Sequence, residues 1–399
     1  MQEQRKHTGF LLTIFSFIAF IALGMPDGLL GVAWPSVRGG FKIPLDALGT
    51  LLLSTVSGYL ISSFGNGYLM KRLGVGKLLA YSTILTGLAL LGYTLAPSWP
   101  VFVGLGFFAG LGAGGIDASL NNWVEAHLSH RVMQWLHASF GIGITSGPLI
   151  MTSGMIFTGS WRFGYWVVAG AQLLLGILFL TQARRWDNAP KAAHYQAEHE
   201  GTVELHPFSQ TIRYVPAWFS ALLFFIYSGI ELGMGHWAYT WLTSELNLSP
   251  SFAGFWTAGY WFTFTVGRIL GGFMTQRQSP AKILKNSLLS VTLVTLLLAA
   301  VPLRLVKIVG ILILGFVIAP IFPSMISTTV LRVGRSHAGN TIGMQMAFAG
   351  LGVGILPGFM GVLGRYAGLA TIPWMLFLWA VLLFLLNQWF EWRGKSRID

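Results

Sequence analysis

Three side chains at helical spacing give the first sign of chemistry. Asp117, Asn121 and Glu125 stand at i, i+4 and i+8 in GLGAGGIDASLNNWVE, so a helix sets them on one face, which Gly114 and Gly110 continue toward the N-terminus. An acid and an amide bordered by small residues suit the wall of a wet cavity, or else hydrogen bonding to a neighbouring helix. Glu125, nearest the end of its apolar run, can also reach lipid headgroups. A second carboxylate lies in YSGIELGMGHW, where Tyr227, Glu231 and Gly235 share a face and His236 is either a relay or a structural histidine. A third, Asp27, follows Pro26. That proline is expected to break its helix, so that freed carbonyls and the carboxylate line a site; the other reading has Asp27 serving the kink locally.

All three acids interrupt apolar sequence. A charge at mid-bilayer costs roughly 2.5–3.5 kcal/mol on insertion scales, so each must face protein or a wet cavity, or carry a proton. Asp117, Glu231 and Asp27 are therefore the proton-coupling candidates. Asn121, Asn122, Tyr227, Trp237, His137, Trp256, Tyr260 and Gln345 are the candidates for holding a solute. His137 precedes the flexible FGIGITSGP and, through the short loop joining its span to the one before, meets the Asp117 face. Trp237, Trp256, Tyr260 and Trp261 lie deeper than an interfacial belt and either stack on a sugar ring or pack.

Other chemistries find no footing. The chain has no cysteine, which removes disulfides, thiolate nucleophiles and cysteine metal sites. Intramembrane hydrolysis has little to stand on without a His/Glu metal pair at helical spacing, a Walker loop or a credible Ser/His/Asp order, so an enzyme, a resident metal and a cofactor are not expected. GLGAGG is no phosphate cradle, because it lies inside an apolar span rather than between strand and helix.

The elements that position these residues follow from composition. Of 399 residues, 54% are hydrophobic and 10% charged, too few charges for the surface of a soluble domain this size. Apolar runs long enough to cross about 30 Å of hydrocarbon recur near 9–33, 45–69, 77–96, 100–126, 132–157, 161–182, 215–243, 251–274, 282–302, 307–331, 338–362 and 369–390. The net charge of +12 does not point to nucleic acid, because the bases sort by membrane side. Eighteen fall in the loops and tails on the side of the N-terminus and six on the other, with Arg268 near a helix end. That bias places both termini in the cytoplasm of a multi-pass protein of the cell membrane. The first run is too long for a signal peptide and reads as helix 1.

One polar stretch, 183–214, separates two halves that resemble each other about 205 residues apart. GYLMKRLGVGKLL pairs with GFMTQRQSPAKIL, FGIGITSGP with AGLGVGILP, and the LGMPD at Asp27 with the LGMGH at His236. The expected fold is an all-α membrane protein, twelve transmembrane helices in two pseudo-symmetric six-helix bundles: residues 1–182, a cytoplasmic linker 183–214, and residues 215–399 with a short cytoplasmic tail. Two parallel six-span repeats resemble the plan of the major facilitator superfamily, which implies a solute site near the midplane and alternating access.

GAGGIDASLNN and LHASFGIGITSGP, with YSGIELGMGHW and VGRILGG, resemble the fucose permease-like branch of that superfamily, the fucose, galactose and glucose to proton symporters. The resemblance implies a sugar carried with a proton, acids of spans 1 and 4 (Asp27 and Asp117) serving binding and coupling, and Asn121 as a sugar ligand. Glu231 fits the branch pattern G-x-E-x-x-x-G-x-W through Gly229, Gly235 and Trp237. The superfamily's loop after span 2 has an acidic residue where this chain has Lys71. The expected function is a monomeric, proton-coupled secondary transporter of a small polar solute, with lipid as its surroundings. The alternatives are a proton-driven drug or metabolite exporter, to which Gly143–Pro148 (G-x-x-x-G-P) points, and a receptor that binds without translocating.

Overall fold

A computed structural model describes residues 2–128, 130–188 and 206–395. Among them there is helix and no strand. Six long helices occupy the first part of the chain: α1 (Gln2–Phe41), α2 (Leu48–Leu73), α3 (Val75–Leu95), α4 (Trp99–His127), α5 (His130–Thr158) and α6 (Arg162–Asp187). The second part has α7 (Val215–Ser244), α8 (Pro250–Met274), α9 (Pro280–Ala300), α10 (Arg304–Ile318), α11 (Arg335–Ala367) and α12 (Thr371–Lys395). Among the described residues, eleven helical runs are long and apolar enough to cross a bilayer. The one that falls short is α8, whose Gly, Thr, Tyr and Trp content lowers its hydropathy at full spanning length. Residues 189–205 of the expected linker lie outside the described residues; its first residues extend α6 to Asp187, and a one-turn helix, Phe208–Thr211, precedes α7.

The chain forms two compact units, Met1–Ile43 with Thr50–Gly201, and Pro44–Gly49 with Thr202–Asp399. The short segment between α1 and α2 therefore packs with the second unit, where Asp46 forms a 3.0 Å ion pair with Arg365. In the first unit α1 packs on α5, and α3 on both α6 and α4. In the second unit the same scheme recurs, α7 on α11 and α9 on both α12 and α10. The repeat seen in the sequence is thus a repeat of packing.

Glycine sets the close contacts. A Cβ on Gly143 would strike the Ile21 carbonyl of α1, and one on Gly352 the Phe225 carbonyl of α7. Likewise Gly110 lies against the Thr55 carbonyl and Gly315 against that of Tyr260. With no water in the hydrocarbon to drive association, this backbone approach is what holds such helices together.

These contacts also correct the register of the internal repeat. Gly147 packs on Met25 as Leu356 packs on Gly229, so Met25 corresponds to Gly229 and Asp27, two residues on, to Glu231. The textual match of LGMPD with LGMGH had paired Asp27 with His236. Two carboxylates, one per repeat, occupy equivalent places.

Two other expectations change. Pro26 does not break α1, which runs unbroken from Gln2 to Phe41. Pro26 has no N–H to give the Ala22 carbonyl one turn earlier. The buried Gln172 of α6 donates to that carbonyl at 2.7 Å, so it is satisfied by protein and lines no site. The tenth span, expected as one helix, is interrupted instead: after α10 come Ile321–Ser327 and Thr329–Val333, with Pro320 at the first break.

Candidate functional site

In the first unit the chemistry gathers on α4 and α2. Ser54 donates to the Val103 carbonyl at 2.7 Å and Ser119 to buried Asn66 at 2.8 Å, which fixes the two helices in register. Between these ties Tyr59 of α2 donates its hydroxyl to Asp117 Oδ2 at 2.5 Å, and Asn121 donates to Asp117 Oδ1 at 2.9 Å. Asp117 thus has two neutral donors, and among the described residues no cation pairs with it. Asp27 of α1 lies within electrostatic reach of Tyr59 and of Tyr93. A carboxylate held by a phenol and an amide can take up and release a proton while its oxygens stay aimed.

Asn122 and Glu125 leave this group. They line a separate cavity of about 510 Å³ at the α2–α3 end of the unit, with Met70, His127, Trp186 and Asp187. Glu125 is exposed, so the face expected to run from Asp117 to Glu125 keeps only its first two polar members together. Asp187 also accepts from the Gly76 N–H at 3.3 Å and sits against Gly74, whose φ of +77° suits glycine. An acid from α6 thereby meets the turn that follows α2, three residues beyond Lys71 in the last turn of that helix. His137 places its ring edge-on to Phe20 at 5.6 Å on the α1–α5 seam.

In the second unit the carboxylate is Glu231, 8% exposed. Arg268 of α8 approaches it with Nη2 at 4.0 Å from Oε1, while its guanidinium lies 4.5 Å above the Phe264 ring. Tyr260 donates to the main-chain carbonyl of Glu231 at 2.9 Å, tying α8 to α7 at this level. The Tyr227 hydroxyl is within electrostatic reach of both Glu231 and Arg268. The remaining solute candidates divide. Trp237 is wholly buried and donates to the Pro357 carbonyl at 2.9 Å. Gln345 is wholly buried and joins Ser220 (2.7 Å) to Thr329 (2.9 Å) beside the interrupted tenth span. Trp256 is half-buried against Phe255. His236 is buried, with Nδ1 unpartnered among the described residues.

Sequence reasoning missed Tyr59 and Arg268. A base inside an apolar run carries the same insertion cost as an acid, which was the available signal for Arg268; counting it as a helix-end charge hid it. Nothing in the spacing of α2 marks Tyr59, because its partner is 58 residues away. Its role is testable: replacing it with Phe leaves a buried carboxyl oxygen of Asp117 without its donor, about 1–3 kcal/mol, so Tyr59→Phe is expected to melt below wild type. Wild-type melting in that variant would show that the Tyr59 bond does not hold Asp117 in place.

The family model described as Major Facilitator Superfamily matches residues 14–340 and 237–398. The chain is 24% identical over 412 residues to Bypass of stop codon protein 6 of Saccharomyces cerevisiae, covering 95% of this chain and 82% of that one. It is 20% identical over 353 residues to a glucose/mannose transporter of Bacillus subtilis, covering 87% and 86%. A crystal structure of the Escherichia coli fucose:proton symporter superposes with a TM-score of 0.65 at 16% identity, over 96% of this chain and 99% of the other; this likeness is one of fold.

Proposed function

This chain belongs to the major facilitator superfamily, and from that premise we propose that it is a proton-coupled importer of a small polar solute, a sugar or sugar derivative, of the fucose permease-like branch. In this reading it works as a monomer in the cell membrane with both termini in the cytoplasm, and it is a carrier rather than an enzyme. Alternating access makes the two units the parts that reorient.

The observation that carries the reading is Asp117. A carboxylate in a spanning helix, held by Tyr59 and Asn121 and paired with no cation among the described residues, is expensive as structural glue and well suited to proton exchange. Glu231 differs in having a guanidinium for company, so Asp117 takes the coupling role first. Asp27 stands at the equivalent position of the first repeat and joins it as a second acid of the same unit. The solute class is supported by the sugar-transporting relative from Bacillus subtilis and by the motifs shared with the sugar symporter branch. The G-x-x-x-G-P stretch that suggested an exporter has a packing use here, since Gly143 and Gly147 both lie against α1.

Proteoliposomes with an acid exterior are expected to accumulate labelled glucose, mannose, galactose or fucose, and to lose that accumulation when the gradient is collapsed. Efflux of a preloaded lipophilic dye without sugar uptake would replace this reading with export. Sugar binding without flux would make the protein a receptor.

A further inference from the structure

Glu231 and Arg268 form an unusual ion pair. Their nearest atoms are 4.0 Å apart, inside the range of charge attraction and beyond that of a hydrogen bond. Both side chains are largely buried, at 11% and 22% exposed. A buried pair repays its desolvation only when the remaining donors and acceptors are also satisfied. Here they are not: Arg268 Nε and Trp261 Nε1 are both buried without a hydrogen-bond partner among the described residues. Both groups come from α8, which the Tyr260 bond to Glu231 ties to α7. Trp261 packs edge-on against Phe264, the ring beneath the guanidinium.

From this geometry we propose that Glu231 and Arg268 are a hydroxyl clamp that selects an electrically neutral, polyhydroxylated solute. A hydroxyl both accepts and donates, so one oxygen can accept from Arg268 Nη2 and donate to Glu231 Oε1 across the 4.0 Å gap. A neighbouring hydroxyl of the same solute meets the other donors, Arg268 Nε and Trp261 Nε1. The two charges cancel each other, so a neutral solute enters without leaving a net charge buried. A carboxylate drawn to Arg268 would face Glu231, and an ammonium drawn to Glu231 would face Arg268. The titratable groups acting on Glu231 are Tyr227 from its own helix and Arg268 and Tyr260 from α8. Glu231 thereby becomes a solute ligand, with proton exchange left to the first unit.

This inference deepens the transport reading and rests on it. The test uses the full chain in nanodiscs, with ligand binding read by thermal shift and competition. The probes are glucose, mannose, galactose and fucose, with glucuronate, galacturonate, glucosamine and galactosamine as charged counterparts. The wild type is expected to bind at least one neutral sugar about tenfold or more tightly than the matching uronate and amine. Arg268→Gln and Glu231→Gln are each expected to weaken that sugar by about 10- to 100-fold, with the double variant little worse than either single one. Arg268→Gln should also lose discrimination against the amine, a change that a merely structural role would not produce. Neutral-sugar affinity that survives both substitutions, or a uronate or amine bound as tightly as the neutral sugar, would overturn the clamp and leave transport standing. Absence of binding and flux for every probe would overturn the transport reading itself. The wild-type selectivity panel needs no variant, so a misfolded mutant leaves the clamp open to refutation.

Discussion

Asp117→Asn is expected to abolish accumulation against a gradient while leaving exchange nearly intact. With one proton per solute and no membrane potential, a gradient of two pH units can drive about 100-fold accumulation, since each unit is worth about 1.36 kcal/mol. An asparagine keeps the shape of the site and can still meet Tyr59 and Asn121, but it cannot carry a proton between the two sides. The accumulation ratio of the variant should therefore fall to about one, a loss of roughly two decades. Counterflow, in which labelled solute enters by exchange with unlabelled solute already inside, needs no net proton movement and should stay within about threefold of wild type. An undiminished response to the gradient in Asp117→Asn would remove this residue from coupling. Loss of counterflow together with accumulation would make it a binding residue instead.

Gly143→Val is expected to prevent the first unit from assembling. The added Cβ would fall on the Ile21 carbonyl, and backbone cannot swing aside as a side chain can. Overpacking costs typically about 1–3 kcal/mol even where neighbours adjust, and here the alternative is to separate α1 from α5 along their seam. The yield of monodisperse protein should drop at least about tenfold, and any surviving fraction should melt well below wild type. The equivalent Gly352→Val, placed on the Phe225 carbonyl, is expected to do the same in the second unit. Gly170→Ala is the control, because a Cβ at Gly170 meets nothing within 4 Å. Wild-type yield and melting for Gly143→Val would show that the α1–α5 contact is not needed for assembly.

Helix positions were legible because they rest on composition. A segment that must satisfy its own backbone in hydrocarbon has to be a long apolar helix, and that demand is visible one residue at a time. The two breaks after α10 were less visible, since IAPIFP remains fully apolar with only Pro320 marking the first, and the second falls at Thr328 with no proline at it. Pro26 shows the opposite error. Read locally, a proline in a helix frees a carbonyl, and whether that carbonyl stays open depends on a residue far along the chain, here Gln172.

The candidate site divides in the same way. Asp117 and Asn121 were found together because their spacing is helical and lies within one segment. The sequence by itself determined an all-helical membrane protein built from a doubled unit, and it marked the acids whose insertion cost requires a use. Only the tertiary structure decided their company: Tyr59 on Asp117, Arg268 near Glu231, and Glu231 rather than His236 as the counterpart of Asp27. The physical reason is that burying a charge is a property of one residue in its own helix, whereas the partner that compensates it is chosen by how helices pack, and packing here is set by glycine contacts between segments far apart in sequence.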